Sequence, residues 1–148
     1  MKVANMEYLR LSRPYEFRSP FRGVEFALLL FVEDKTITPH EQAGISRQLV
    51  GQGCRYAVCA GHRCSTWDDS IDMASLEQDN WEPRDKSFVM TSWHERDSIE
   101  GVVHFFLNLT AFDDWVPHKF LVIVLSEQDG VLSNIRREVE RQAAQPSR

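Results

Sequence analysis

The chain has 148 residues, of which 43% are hydrophobic and 26% are charged. A domain of this length buries a core of its own without disulfides or metals. The longest apolar run, FALLLFV at residues 26–32, has the length of a buried strand and falls short of the ~18 residues of a membrane-spanning helix. The N-terminus has no apolar segment typical of a secretory signal, and an odd number of cysteines, three, favours reduced thiols in the cytoplasm.

The formal net charge of −5 is unevenly divided along the chain. Residues 1–24 carry a net charge of +3, so the remaining residues carry −8. Nucleic-acid binding requires a basic face that displaces counterions from the phosphates. The acidic body therefore argues against a nucleic-acid partner and favours a small molecule, a metal or a basic protein.

The predicted secondary structure begins with an irregular segment and continues as an alternation of strands and helices. Residues 1–23 contain two prolines and scattered arginines, and they predict an extended arm with a short edge strand near residues 7–11. Residues 24–148 predict a single α/β domain. Its four apolar strands are predicted at residues 25–33, 54–60, 87–93 and 119–126. Its four amphipathic helices are predicted at residues 38–53, 65–78, 97–112 and 130–144.

Capping signals mark the starts of the predicted helices. Thr38 and Glu41 predict a capping box for the first helix, with Pro39 at its first position. Ser65 is predicted to cap the second helix, and Asp97 is predicted to cap the third together with a glutamate three residues later.

The order of elements predicts the fold class. Apolar strands that alternate with amphipathic helices form a parallel sheet covered on both faces. We expect a three-layer sandwich, flavodoxin-like or Rossmann-like, with a mostly parallel four-stranded sheet in the order 2-1-3-4. Ligands of such sheets bind at the carboxyl ends of the strands, near the point where the strand order reverses. In the expected order this point lies between the first and third predicted strands.

Polar and aromatic side chains follow the predicted strand ends, and they form the candidate site. The candidate binding residues are Glu33, Asp34, His62, Trp67, Trp93, His94, Glu95 and Glu127. The candidate catalytic residues, none of them assigned a role outright, are His62, Cys64, His94 and Glu95. Strand ends feed loops that are polar in any protein, so the site interpretation depends on whether these side chains converge.

The thiol and the histidines leave two chemical alternatives open. A thiol at Cys64 near a helix N-terminus would have a lowered pKa, with His62 or His94 as its base. The same three residues and a carboxylate could bind zinc. However, the His-x-Cys spacing is not an established signature and no Cys-x-x-Cys pair occurs, so neither a metal nor a cofactor is expected. Cys54 and Cys59 lie within a predicted strand and are expected in the core.

The four tryptophans, Trp67, Trp81, Trp93 and Trp115, all lie near predicted loops or helix starts. At such positions a tryptophan either belongs to the core or lines a pocket or interface. The glycine-rich phosphate-binding motifs are absent, and GQG at residues 51–53 lies at the end of a helix.

The first part of the domain resembles a bacterial response-regulator receiver. LLLFVED at residues 28–34 ends in an acidic pair, as in that family, and QGCRYAVCAG follows the next helix. The resemblance implies a phosphoacceptor aspartate at the end of the third strand, where this chain has Trp93, His94 and Glu95, and a lysine after a fifth strand that the sequence does not predict. Phosphotransfer is therefore not expected.

A second segment, FVMTSWHERDSIEGVVHFFLN at residues 88–108, resembles an uncharacterised family of small bacterial α/β proteins, a domain of unknown function. The resemblance implies a bacterial origin and assigns no activity.

Two functions are compatible with these observations. The first is a small cytoplasmic, non-catalytic binding protein, an immunity-type or accessory partner of another bacterial protein, which docks through an acidic edge that bears tryptophan. The expected partner is a protein and not a nucleic acid or a membrane, and self-association stays open. The alternative is a small hydrolase or transferase acting on a small or nucleotide-like substrate. Its candidate residues at the carboxyl edge are Asp34, His62, Cys64, His94 and Glu95.

Overall fold

The structure, a computed structural model, describes residues 5–145. Its strands are β1 Met6–Leu11, β2 Phe26–Val32, β3 Cys54–Gly61, β4 Met90–Trp93 and β5 Phe120–Leu125. Its helices are α1 Pro39–Gly51, α2 Cys64–Gln78, α3 Ile99–Asn108 and α4 Gly130–Ala143. Among the described residues, no helix is both long and apolar enough to cross a membrane. The predicted alternation of strands and helices is confirmed, although the third predicted strand shrinks from seven residues to four.

The strands form one five-stranded sheet in the order β1-β5-β2-β3-β4, and every pair of neighbours is parallel. The predicted α/β class with a parallel sheet is confirmed. The prediction of four strands is wrong, because the N-terminal segment supplies a fifth.

The predicted strand order, 2-1-3-4, is also wrong. Numbered as predicted, the four strands lie in the order 4-1-2-3. The first three follow one another to one edge, and β5 then returns to lie on the other side of β2. The order therefore reverses between β2 and β5, and not between the first and third predicted strands. The burial of the strands fits this order, because an inner strand is covered more completely than an edge strand. The inner strand β5 is apolar throughout and nearly all buried, whereas the edge strand β4 is only partly buried.

The helices lie on both faces of the sheet. Alternate residues of a strand point to opposite faces, and Leu28 and Leu30 of β2 pack in one apolar cluster with α1 and α2. Leu29, between them, packs in a second cluster with α3 and α4. This arrangement explains why the central strand β2 is apolar without alternation.

The expected extended arm, residues 1–23, contributes to both the sheet and the core. β1 pairs with β5 over six residues, from Met6 opposite Phe120 onward. Beyond the strand, the side chains of Tyr15 and Phe17 are buried in the cluster that contains α1 and α2. The segment is thus held by the domain rather than extended from it, and it covers the edge that β5 would otherwise expose.

The helix caps are partly as predicted. The Thr38–Glu41 capping box is confirmed, because the Thr38 hydroxyl accepts from the Glu41 N–H at 3.1 Å and the Glu41 carboxylate accepts from the Thr38 N–H at 3.0 Å. The prediction that Ser65 caps α2 is wrong: the cap position is Arg63, in the left-handed region at φ 51°, with no side-chain cap. The predicted Asp97 cap is also wrong, because α3 is capped by Ser98, which accepts from the backbone N–H three residues on at 3.1 Å.

Gly61 ends β3 where the sequence predicts a turn out of the strand. Its φ of +88° lies in the region that favours glycine, and a Cβ there would lie 2.8 Å from the backbone nitrogen of Val32 and closer still to its carbonyl oxygen. The same carbonyl accepts from the His62 N–H at 2.7 Å. The end of β3 therefore lies directly against β2, and this contact positions the loop that carries His62.

Candidate functional site

All five strands are parallel, so their carboxyl ends share one edge of the sheet. Apart from Glu127, which follows β5 and is exposed, the predicted candidate residues fall into three groups at or near this edge. One group binds other parts of the chain at the β2–β5 junction, a second lies on the α1–α2 face, and the third lies at the end of β4.

Glu33 and Asp34 follow β2 at the point where the strand order reverses. Their backbone N–H groups both donate to the carbonyl of Leu125 at 3.0 Å. The hydroxyl of Ser126, at the end of β5, donates to the Glu33 carboxylate. The space between the two strand ends, where open α/β sheets often bind ligands, is therefore bridged by the protein's own groups.

The Asp34 carboxylate is occupied by the N-terminal segment and its own turn. Tyr15 donates its hydroxyl to one carboxylate oxygen, and Thr36 donates its N–H at 2.8 Å and its hydroxyl at 2.6 Å to the other. Burial opposes ionisation, but these hydrogen bonds and the nearby Arg13 guanidinium hold the pKa of Asp34 below its usual value. Burial and the Asp34 carboxylate together raise the pKa of Tyr15. This carboxylate holds the N-terminal segment in place, and it has little capacity left for a ligand.

His62 lies on the α1–α2 face, where it lines a cavity of about 190 Å³ together with Lys35, Arg63 and Trp67. Trp67 itself is buried in the core. His94 lines a different cavity, between the sheet and helices α3 and α4. The two histidines line separate cavities, which does not support the convergence on which the site interpretation depends.

Cys64 begins α2, but its side chain is only 1% exposed. Burial raises the pKa of its thiol, against the smaller effect of nearby backbone N–H groups. The expectation of a lowered pKa is therefore wrong, because desolvation of the thiolate outweighs the helix N-terminus. Cys54 and Cys59 are buried in the core, as expected.

His94 is the predicted candidate with the most specific surroundings. Its Nδ1 lies 2.6 Å from Oδ2 of Asp97, and its Nε2 lies 3.0 Å from Oγ of Ser92. Its ring packs edge-on against Phe105 at 4.6 Å, and the side chain is 9% exposed. An imidazole whose Nδ1 donates to a carboxylate has its Nε2 lone pair free to accept from a hydroxyl. Ser92, His94 and Asp97 thus form a continuous hydrogen-bonded chain.

His94 and Asp97, but not Ser92, line a cavity of about 210 Å³ at the carboxyl edge. The polar rim consists of His94, Glu95 and Asp97, and the apolar walls come from β2, α3 and α4. Ser92 was not among the predicted candidates, and Asp97 was predicted only as a helix cap. The signal that could have identified them is the S-x-H-x-x-D spacing that follows an apolar strand.

Two further candidates are exposed. Trp93, the last residue of β4, is 54% exposed, and Glu127, which follows β5, is also exposed. Three strand spacings, about 14 Å, separate the lines of β4 and β5 in the sheet. Glu127 therefore lies on a different part of the edge from Trp93.

Comparison with curated proteins yields no match to this chain. The model of one protein family, described as a domain of unknown function (DUF7684), matches residues 6–142. The matched range runs from β1 to the last turn of α4, and it includes all the candidate residues above. The chain therefore belongs to the DUF7684 family, an uncharacterised family of the kind that residues 88–108 resemble.

Proposed function

We propose that this is a small cytoplasmic, non-catalytic binding protein that docks another bacterial protein, as an immunity-type or accessory partner, through the end of β4. The observation that carries the proposal is the exposure of Trp93. Tryptophan is a costly residue to leave in water, and it is enriched among the side chains that dominate protein interfaces. The free thiols at all three cysteines suit a reducing compartment.

The surroundings of Trp93 suit a partner that is both apolar and basic. β4 is an edge strand, with a neighbour on one side only among the described residues. Glu95 and Asp97 follow it and are exposed, so two carboxylates lie within four residues of Trp93 in the chain. We call Trp93, Glu95 and Asp97 the β4 edge surface. A partner could pack an apolar side chain against Trp93 and place a lysine or arginine against the carboxylates.

Site-specific crosslinking tests this proposal with a matched control in the same chain. A photoreactive phenylalanine analogue at position 93 should capture a partner from a lysate of the bacterium that encodes the protein. The same analogue at position 81 should capture none, although Trp81 is equally exposed, at 57%. Capture at position 93 should be lost on Glu95→Lys. Equal adducts at both positions, or none at position 93, would contradict the proposal, and an adduct with a second copy of the chain would replace the partner with self-association.

A second candidate function, a small hydrolase or transferase acting on a small substrate, is favoured by the Ser92–His94–Asp97 chain. The atoms involved are those of a serine nucleophile, its base and the carboxylate that orients the base. In this reaction the Ser92 oxygen attacks an acyl carbon while His94 Nε2 takes its proton, and the leaving group then receives that proton. Asp97 holds the imidazole in the required tautomer. Water completes the cycle by hydrolysing the acyl-serine.

Labelling with a fluorophosphonate, which reacts with activated serines, separates the two candidates. The hydrolase predicts one adduct, located on Ser92 by mass spectrometry and abolished by Ser92→Ala. Asp97→Asn should slow the labelling strongly, since loss of this carboxylate costs about 10⁴-fold in kcat in an established triad. The exposed Ser133 serves as the control position. If the fluorophosphonate does not label the protein, the hydrolase is excluded. The Ser92–His94–Asp97 hydrogen bonds would then serve only to hold the β4–α3 loop in place.

At the level of the fold, we infer a Rossmann-like rather than a flavodoxin-like arrangement. Without β1, the sheet order is β4-β3-β2-β5, which corresponds to the 3-2-1-4 order of the first strands of a Rossmann sheet. The glycine-rich phosphate motif of dinucleotide-binding members is absent. The likeness therefore supports a fold assignment and no dinucleotide.

A further inference from the structure

Three aspartates of α2 lie together on the side of the domain next to β4. Asp68, Asp69 and Asp72 each present a carboxylate oxygen, and these oxygens all lie within 4.8 Å of one another. Residues three and four positions apart share one face of a helix, so the sequence WDDSID brings the three carboxylates together.

Nothing in the described part of the chain balances this charge. Among residues 5–145, no lysine, arginine or histidine forms a salt bridge with any of the three carboxylates. Asp68 is only 7% exposed, and its buried Oδ1 has no hydrogen-bond partner within the part of the chain that the structure describes. A buried carboxylate oxygen that has lost its water and gained no donor is strongly unfavourable. The unpaired oxygen therefore indicates that a positively charged ligand, which the described side chains do not supply, binds here.

Asp72 is already oriented by a neighbour. The Thr91 hydroxyl, on β4, donates to Oδ1 of Asp72 at 2.8 Å. Outer hydrogen bonds of this kind fix the ligating carboxylates of metal sites. The other oxygen of Asp72 accepts no hydrogen bond from the described residues, so it can bind an ion.

We propose that Asp68, Asp69 and Asp72 bind one divalent cation of the Mg²⁺ class, with the remaining coordination positions filled by water. Two oxygens that bind the same ion at about 2.0–2.4 Å lie at most about 4–5 Å apart, which fits the cluster. An all-carboxylate site excludes the nitrogen and sulfur ligands that zinc prefers. Three carboxylates are also fewer than the six to eight oxygens that Ca²⁺ collects, whereas Mg²⁺ retains several waters.

The cation would link α2 to the edge strand. Thr91 and Trp93 are two residues apart on β4, so their side chains leave the strand on the same face. An ion held by α2, with Thr91 orienting one ligand, stiffens the strand that presents the exposed tryptophan. The inference does not depend on the proposed function, because the carboxylate cluster belongs to α2 and not to the β4 edge surface.

Titration with Mn²⁺, followed by the paramagnetic resonance signal of the free ion, tests the site directly. The wild-type chain should bind one Mn²⁺, displaced by Mg²⁺. The isosteric variants Asp68→Asn and Asp72→Asn should each weaken binding by at least about 10-fold, and Thr91→Val should weaken it by about 10-fold through the lost orientation of Asp72. Asp114→Asn, a change at an exposed aspartate outside the cluster, should leave the affinity within about 2-fold of wild type.

Thermal unfolding provides a second readout. Mg²⁺ should raise the Tm of wild type above its value in tetramethylammonium chloride of equal ionic strength, and it should not raise the Tm of Asp68→Asn. Circular dichroism verifies that the variants Asp68→Asn and Asp72→Asn fold. The absence of a saturable Mn²⁺ site in wild type, or an affinity unchanged in both aspartate variants, would overturn the proposal.

Discussion

Replacement of Gly61 by alanine tests the contact that positions the carboxyl edge. Gly61 has a φ of +88°, and alanine in the left-handed region is unfavourable by about 1–2 kcal/mol. The new Cβ would also lie 2.8 Å from the Val32 backbone nitrogen and 3.0 Å from its carbonyl carbon, and backbone atoms cannot move aside as a side chain can. Overpacking of this kind costs about 1–3 kcal/mol. The expected loss is therefore about 2–5 kcal/mol, a large part of the total stability of about 5–15 kcal/mol of a domain.

Substitutions at two other glycines distinguish the cost of backbone strain from the cost of the steric clash with Val32. Gly23 has a φ of +84° but open space around its Cβ position, so Gly23→Ala should show the conformational strain alone, about 1–2 kcal/mol. Gly44 lies within α1, again with open space and without positive φ, so Gly44→Ala should stabilise the protein by up to about 1 kcal/mol.

The assay is urea unfolding followed by far-ultraviolet circular dichroism, with free energies compared at equal m-values. The expected order of stability is Gly44→Ala, wild type, Gly23→Ala, Gly61→Ala. A Gly61→Ala protein within about 0.5 kcal/mol of Gly23→Ala would refute the reasoning, because the contact with Val32 would then contribute nothing beyond backbone strain. Since Gly61 lines the His94 cavity, the same variant should also disturb any binding at that edge.

Three further predictions concern helix caps, the buried thiol and the dependence of stability on pH. Thr38→Ala should lower the free energy of unfolding by about 1 kcal/mol, because Thr38 caps α1. Ser65→Ala should change it by no more than about 0.5 kcal/mol, because Ser65 does not occupy a cap position. Equal losses of stability in urea titrations of the two variants would contradict the cap assignment. Cys64, buried and with a raised pKa, should resist iodoacetamide at pH 8 in the folded protein and react in urea, and equal rates would be inconsistent with its burial. The lowered pKa of Asp34 contributes stability that is present above its unfolded pKa, about 3.9, and is lost as the pH falls through the folded value. The loss of stability on Asp34→Asn should therefore be largest near pH 7 and shrink below pH 4, and a loss that is constant from pH 7 to pH 2 would contradict the role assigned to this carboxylate.

The candidate site shows what sequence reasoning can and cannot provide. Parallel strands place their ends at one edge, so His62, His94 and Asp34 could be assigned to that edge from the order of elements alone. Whether they converge depends on which face of the sheet each loop turns toward and on which donors lie nearby. Asp34 binds Tyr15, nineteen residues earlier in the chain, and no local pattern predicts that contact.

The same distinction applies to Cys64 and Asp68. The sequence places both near the start of a helix, where a thiolate or a carboxylate is favoured by the backbone N–H groups. In the structure both side chains are buried, and desolvation then governs the thiol and leaves one carboxylate oxygen without a partner. Burial depends on the helix packing against the sheet, so it is a tertiary property.

By itself, the sequence determined the type and approximate limits of the helices and the four strands of residues 24–148, the Thr38 cap and the turn at Gly61. These features follow from side-chain periodicity, capping chemistry and backbone sterics, which act over a few residues. Only the tertiary structure decided the strand order, the inclusion of β1 in the sheet, and the placement of His62 and His94 in separate cavities. Those features depend on the side of the sheet toward which each connection between two strands leads the chain. That direction is set by the burial of whole strands and helices against one another, to which residues far apart in the chain contribute together.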